Sequence, residues 1–323
     1  MVDFESLIRS QNAYKIVERD MQNQKLSHAY LILHPDGENL RTVLKIFAEI
    51  FLCKEDFPCG KCSVCKRVKD EVYTDLFIYP REKESIVVDD INGLIEESFV
   101  KPVEGKKKIF ILNHAETMNP ASQNKLLKTL EEPPRNVHII LGATTEHTLL
   151  PTVKSRVKKL EIPAFPEKTL LSYLRNECTD SERLKEAVSF SDGTVGGTLA
   201  FYSNPDKSKI IELAKDIIVN MKSSKQVLDF AVKVTSPEEV IDALEITFKD
   251  MLLLASGGVK EIENARIKDI LDSSEGYSVG ALLHALDSVL EAKKRIKFNG
   301  NSTAVLEWLL FSILEGKYKW QKL

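Results

Sequence analysis

Four of the chain's five cysteines lie between positions 53 and 65, spaced Cys53-x5-Cys59-x2-Cys62-x2-Cys65, and Cys178 stands apart. Two-residue gaps let neighbouring thiolates turn toward one ion, and four sulfurs complete a tetrahedral shell at about 2.3 Å from a zinc. Gly60 supplies backbone freedom where such a knuckle must turn tightly. Four thiolates on a divalent ion leave about two negative charges, and Lys54, Lys61, Lys66 and Arg67 are near enough in sequence to offset them. Free thiols or a redox pair are the alternatives. In a cytosolic chain, clustered cysteines at this spacing favour metal over disulfides. The spacing predicts one structural Zn2+ per chain, held by Cys53, Cys59, Cys62 and Cys65. A catalytic zinc is disfavoured, because four cysteine ligands leave no position open for water.

The elements that must position these residues show in the apolar patterning. Short apolar runs recur at 30–33, 76–79, 109–112, 137–141 and, more weakly, 157–162, with helical stretches between them. Continuous apolar strands alternating with helices predict a parallel α/β sheet covered on both faces. One helix is bounded by Asn119 as its cap, Pro120 in its first turn and Pro133-Pro134 at its end, with Leu126, Leu127 and Leu130 as its buried stripe. After Pro163 the pattern turns helical, with Leu170, Leu171 and Leu174 on one face, until Ser203-Asn204-Pro205-Asp206 breaks it. Helical spacing then returns, as at Leu282, Leu283, Leu286, Val289 and Leu290. The predicted organisation is an α/β domain over 1–163 with the cysteine knuckle (53–65) inserted, a small helical lid over 164–205, and an all-helical domain over 206–323.

In a parallel α/β domain the turn after the first strand is the usual phosphate site. A working loop there needs glycines for close backbone approach, a lysine for the β- and γ-phosphates, and a hydroxyl for Mg2+. Here the first apolar run leads into His34-Pro35-Asp36-Gly37-Glu38-Asn39-Leu40-Arg41. Only Gly37 suits the task. Leu40 stands in the lysine's place and Arg41 in the hydroxyl's; Pro35 has no N–H, and Asp36 and Glu38 repel phosphate. No ATP is expected as a cofactor. His28 and His34 read as structural, since no Ser or Cys nucleophile accompanies them in the sequence.

Ser27-His28-Ala29-Tyr30-Leu31, the cysteine cluster, Asn124-Lys125-Leu126-Leu127-Lys128-Thr129-Leu130-Glu131-Glu132-Pro133-Pro134, and Ala143-Thr144-Thr145 followed by Ser155-Arg156 run in the order seen in bacterial clamp loaders. Over residues 1–200 the chain resembles the DNA polymerase III clamp-loader family of the AAA+ superfamily. The Leu-Leu-Lys-Thr-Leu-Glu-Glu-Pro-Pro string with a nearby Ser-Arg is the most specific part, and the C-terminal third carries no signature. The resemblance implies a P-loop NTPase-like (AAA+) α/β domain, a helical lid and an all-α collar domain. It also implies partners: motor subunits of gamma/tau type, a delta-type subunit and, through the assembly, the sliding clamp and primed DNA.

That family includes ATP-hydrolysing motors and subunits that have lost hydrolysis. A motor places an Asp-Glu pair after its third-position strand to hold Mg2+ and polarise water. Asn113-His114 stands there instead, and neutral side chains cannot replace two carboxylates around a hard cation. A motor's lid also offers an arginine toward the γ-phosphate, where this chain has Gly196 within Gly193-Thr194-Val195-Gly196-Gly197. The resemblance therefore implies a non-hydrolysing stator. Ser155-Arg156 is similar to the family's Ser-Arg-Cys motif, with Val157 in the cysteine's place, which implies that Arg156 acts in trans on a neighbour's ATP site. On spacing alone Arg156 belongs to a solvated basic run with Lys154, Lys158 and Lys159. Thr144 and Thr145 read as a strand-end cap. The alternatives are an active motor with an atypical loop, opposed by Leu40, Asn113 and Gly196, and a zinc-knuckle module that binds nucleic acid directly.

The whole chain bounds these classes. At about 150 residues per domain its 323 residues suggest two domains, or three if they are smaller. At 43% hydrophobic and 29% charged it can bury a sizeable core, which excludes a mainly disordered chain. Apolar runs such as 251–255 and 308–311 fall far short of the roughly 18 residues of a membrane helix. Asp3, Glu5 and Arg9 interrupt the N-terminus, so a cytoplasmic protein with no membrane partner is expected. Lys and Arg number 45 against 48 Asp and Glu, a net charge of −3, whereas a dedicated nucleic-acid binder carries a basic excess. DNA contact is expected only through local patches (106–108, 154–159, 293–297) or through partner subunits.

Overall fold

In the first unit of the chain, the central strands are buried on both faces because helices cover the sheet on either side. The computed structural model describes residues 3–55, 58–81, 85–256, 277–298 and 300–320. These fall into two compact units, Met1–Leu199 and Ala200–Leu323.

The first unit opens with helices α1 (Phe4–Arg9) and α2 (Asn12–Gln22) and then β1 (Ala29–Leu33), all five of whose residues are buried. Strands β2 (Leu76–Tyr79), β3 (Lys108–Leu112), β4 (Val137–Ala143) and β5 (Lys158–Glu161) complete one parallel sheet in the order β2-β3-β4-β1-β5. Leu31 sits opposite Leu141 on one side and Lys159 on the other. The expected parallel α/β class is borne out. Strands covered on both faces need apolar residues at every position, so they appear as unbroken runs in the sequence. Lys108 opens β3 inside the core because its ammonium reaches the Glu97 carboxylate at 2.7 Å and lies over the Phe77 ring. β5 is an edge strand with only Leu160 buried, and its exposed lysines made it the faintest strand in the sequence.

One face of the sheet carries α3 (Gly37–Leu52), where Leu40, Leu44 and Phe47 are buried and Phe51 meets the Tyr30 ring edge-on at 6.0 Å. Gly142 of β4 permits this close approach, since a Cβ there would stand 2.7 Å from Leu44 Cδ2. The opposite face packs Leu31, Phe110, Leu112, Ile139 and Leu141 against α5 (Val88–Ser98) and α6 (Pro120–Glu131). Helix α6 begins as its sequence indicates: the Asn119 side chain accepts the Ser122 N–H at 2.8 Å and Pro120 fills the first turn. Leu126 and Leu130 are buried and Leu127 half-buried. Helix α4 (Ser63–Lys69) precedes β2, and α7 (Pro151–Lys154) precedes β5. Beyond the sheet come α8 (Glu167–Leu174), α9 (Ser181–Ser189) and α10 (Val195–Ser203), with Leu170 and Leu174 fully buried.

The second unit is helical: α11 (Pro205–Asn220), α12 (Ser224–Lys233), α13 (Pro237–Ala255), α14 (Val279–Lys297) and α15 (Ser302–Lys319). Asn204 caps α11 by accepting the Asp206 N–H at 3.0 Å, so the breaker read at 203–206 does separate two helices. Phe248, Met251, Leu282, Val289, Leu306 and Leu309 form the core here. Leu283 and Leu290, although at helical spacing, face outward and are about half exposed. Among the described residues no helix is long and apolar enough to cross a membrane.

Candidate metal centre and phosphate-loop region

Two helix ends gather the cysteines. Cys53 follows the last residue of α3, Cys62 caps the start of α4, and Cys65 lies in that helix's first turn. Between them the chain turns at Gly60 with φ of +66°. Cys59 Sγ accepts the N–H groups of Lys61 (3.5 Å) and Cys62 (3.2 Å), and Cys62 Sγ accepts that of Cys65 (3.4 Å). These donors pull the Cys59 thiol down to about 6. The Cys53–Cys59, Cys53–Cys62 and Cys62–Cys65 sulfurs stand 3.9, 3.9 and 3.6 Å apart, and all four lie within 4.8 Å of one another. Four sulfurs at about 2.3 Å from a common centre are about 3.8 Å apart in a regular tetrahedron. The donor set therefore fits a single thiophilic metal ion. Cys178 is buried elsewhere, after α8, and takes no part.

The cations that brace this loop are not the ones nearest in sequence. Arg67 turns away and forks onto Glu104, with Nη1 at 2.8 Å. Instead Arg9 of α1 donates to the Pro58 carbonyl and Lys69 of α4 donates to the Gly60 carbonyl at 3.2 Å. Those two carbonyls flank Cys59. Glu5 pairs with both cations, and the fully buried Glu49 takes Arg9 at 2.8 Å. A side chain at Gly60 would run into the Glu5 carboxylate and come 3.2 Å from Arg9 Nη2. Thus α1, which has no ligand of its own, is tied to the knuckle by ion pairs.

The phosphate-loop region is the head of α3. Asp36 caps that helix, so Gly37 is already its first residue. Leu40 points into the core and is fully buried. Arg41 turns to Glu71, with Nε at 2.8 Å, and holds that carboxyl down at about 2. Asn39 donates from its backbone N (3.3 Å) and its side-chain amide (3.0 Å) to the Asp36 carboxylate. Asp36 also accepts the Gly196 N–H of α10 at 2.9 Å. His34 is buried with Nδ1 3.1 Å from the Ile162 carbonyl and its ring edge-on to Phe165; burial lowers its pKa and keeps it neutral.

At the end of β3, Asn113 is buried and its N–H donates to the Tyr79 carbonyl at 2.8 Å. His114 adopts the left-handed conformation (φ 56°), which His tolerates better than bulky residues do. Its ring lies over Gly37: a Cβ on that glycine would be 3.3 Å from His114 Cε1 and 3.3 Å from Thr144 Cγ2. His114 Nδ1 is 3.1 Å from Glu116 Oε1, which also accepts the Thr144 hydroxyl (2.8 Å) and N–H (3.2 Å). The carboxylate here is thus Glu116, carried back by the short 3-10 turn Ala115–Thr117, and reading the sequence at the Asn113-His114 position alone misses it. The structure gathers Asp36, Gly37, Asn39, His114, Thr144 and Gly196 around one helix start, and turns Leu40 and Arg41 away from it.

The family model described as DNA polymerase III, delta subunit, matches residues 9–166. The delta' subunit of DNA polymerase III from Bacillus subtilis is 26% identical over 318 residues, which covers 94% of this chain and 95% of that protein. The chain belongs to the DNA polymerase III clamp-loader family. Another clamp-loader relative, the tau subunit of B. subtilis, is 24% identical over 98% of this chain but only 62% of its own length. The delta' subunit of Pseudomonas aeruginosa is 31% identical over 52% of this chain and 53% of its own. Among solved structures, a gamma-subunit-related protein of Thermotoga maritima overlays with a TM-score of 0.43 at 21% identity, covering 94% of this chain and 99% of that one.

In this clamp-loader chain the Ser-Arg pair lies at the surface after α7. Ser155 ends the helix, and Arg156 donates from Nε to Glu131 Oε1 (2.8 Å) and from Nη1 to the Thr152 carbonyl (2.9 Å) and Ser155 Oγ (3.1 Å). Glu131 is the last residue of α6, within the Leu-Leu-Lys-Thr-Leu-Glu-Glu-Pro-Pro string. The two most specific stretches of the family resemblance therefore touch.

Proposed function

We propose that the chain is a non-hydrolysing, stator-type subunit of a cytoplasmic bacterial DNA polymerase III clamp loader, of the delta' kind. Its partners are gamma/tau-type motor subunits and a delta-type subunit, and together they load the sliding clamp onto primed DNA. The region 1–163 forms an AAA+-like wall beside a motor's ATP site, 164–205 a lid, and 206–323 a collar segment. The head of α3 carries this reading. It holds a buried Leu40 in the lysine's place, a carboxylate where phosphate would need donors, and His114 packed over Gly37. Each removes a different requirement of ATP binding: the cation, the open anion site, and the space for Mg2+ and the γ-phosphate.

The cysteine knuckle holds one structural Zn2+, and Arg156 reaches the phosphates of a neighbour's nucleotide. A guanidinium supplied in trans stabilises charge on the transferred phosphoryl group. Titration of ATP·Mg2+ into the isolated chain, followed by calorimetry, tests the central point. No heat of binding is expected at millimolar nucleotide. Micromolar affinity would overturn the stator reading and make this chain a motor.

A further inference from the structure

Asp36 is the most unusual side chain near the former phosphate site. It is only 3% exposed, yet it is a carboxylate seated at the starts of two helices, α3 and α10. Its three donors are the Asn39 N–H, the Asn39 side-chain amide and the Gly196 N–H, at 3.3, 3.0 and 2.9 Å. Helix starts present unpaired N–H groups and partial positive charge, which favour an anion. We propose that Asp36 is a resident anion that locks the start of α10 onto the start of α3, so that the lid is held by the chain itself rather than by nucleotide phosphate. This rests on reading the chain as one that takes up no ATP.

Gly196 makes the lock possible. A Cβ at this position would stand 2.6 Å from Asp36 Oδ1 and 2.8 Å from Glu38 Oε2, so any other residue pushes the carboxylate off the N–H. The segment leading to it is fixed independently: the Gly193 carbonyl accepts the Phe165 N–H at 2.8 Å, and Thr194 Oγ1 accepts the Gly197 N–H at 3.2 Å. The Asp36–Gly196 bond joins residues 160 positions apart. It is the step that converts a well-formed helix start into a lid attachment. A covalently tethered anion does not dissociate, so lid geometry is insulated from nucleotide exchange. That is the property a fixed wall beside moving subunits requires.

Residue-resolved hydrogen exchange on the full chain tests the lock. Asp36→Ala is expected to speed exchange of the Gly196 N–H about tenfold or more, the scale of one lost cap-type bond, with the β3 and β4 amides unchanged. Gly196→Ala leaves Asp36 in place but separates the pair, and is expected to release the same amide; it decides the matter should Asp36→Ala not fold. Asn119→Ala removes an equivalent cap from α6 and should leave Gly196 as protected as in the parent chain. Unchanged Gly196 exchange in either lid variant would overturn the proposal. Exchange of the parent chain with and without ATP·Mg2+ judges the underlying reading separately: protection gained on adding nucleotide defeats the stator, while the variants still judge the lock.

Discussion

Arg156 has all three guanidinium nitrogens engaged, two of them by Glu131, and its side chain is one-third exposed. An exposed ion pair of this kind contributes about 0–1 kcal/mol, so Glu131 orients the guanidinium without holding it strongly. A phosphate approaching from a neighbouring subunit offers a doubly charged, bidentate partner and can displace that carboxylate. Arg156→Ala is therefore expected to leave assembly intact and to lower ATP turnover by the partner motors by at least about tenfold, a modest share of what arginine fingers supply. Arg156→Lys should recover little, because an ammonium cannot fork onto two oxygens. Steady-state ATPase assays on reconstituted complexes check both. Turnover within twofold of the parent complex would return Arg156 to its cis pairing with Glu131 as its whole role.

At the scale of elements, the knuckle links α3, α4 and α1, and the two kinds of link were unequally legible. The cysteine spacing could be read directly, because three of the four cysteines fall within seven residues and local turns bring their sulfurs together. Strands β1 to β4 were legible for a similar reason, since burial on both faces leaves an unbroken apolar run. Arg9 and Gly196 could not be read in this way. Arg9 meets Pro58 and Glu49 across about 40 to 50 positions of sequence, and neither period nor motif marks such a contact. Asp36 could be read from the sequence only as a residue that repels phosphate, and its bond to Gly196 exists only in three dimensions. Cys62→Ser is expected to lose about one zinc per chain by elemental analysis and to lower the thermal stability of the first unit. The double variant Arg9→Ala/Glu49→Gln removes the partly exposed guanidinium and its buried carboxylate partner together, which avoids stranding a charge in the core. It should keep its zinc but release it to a chelator about 10- to 100-fold faster, the usual effect of losing an outer-shell partner. Equal release rates would mean that α1 packs beside the knuckle without stabilising it.

The molecule as a whole consists of two units that carry different sets of acid-sensitive groups. His138 of β4 packs against Phe51, with Nδ1 2.9 Å from the Ser27 carbonyl, and burial pushes its pKa down to about 4. An unfolded histidine binds its proton near pH 6.5, so between that pH and about 4 the unfolded state takes up the proton and the folded state does not. The His138 contribution to the first unit's stability therefore falls as the pH drops through this window, by up to about 3 kcal/mol. The buried Glu49, whose pKa burial raises to about 7, instead takes up its proton in the folded state and acts in the opposite direction. The buried, neutral His34 acts in the same direction as His138. Glu71, held at about 2 by Arg41, adds its loss only below the unfolded carboxylate pKa near 4.5. In the second unit Glu245 is held below the usual carboxylate range by Lys249 and Lys293, so its contribution also fades only under more acid conditions.

Both tryptophans, Trp308 and Trp320, belong to the second unit, so fluorescence reports that unit alone while circular dichroism reports both. A dichroism transition that fluorescence does not follow is that of the first unit. Between pH 7 and 5, thermal melts followed by far-ultraviolet circular dichroism should show the transition of the first unit falling by about 5 °C more in the parent chain than in His138→Gln, given 2–4 °C per kcal/mol in a domain of this size. Melts followed by tryptophan fluorescence should differ much less between the two chains over the same interval. Parallel shifts in the two signals would mean that the units unfold as one and that acid sensitivity is shared. In His138→Gln the early shift should shrink, because the residue that took up the proton in the unfolded chain is gone.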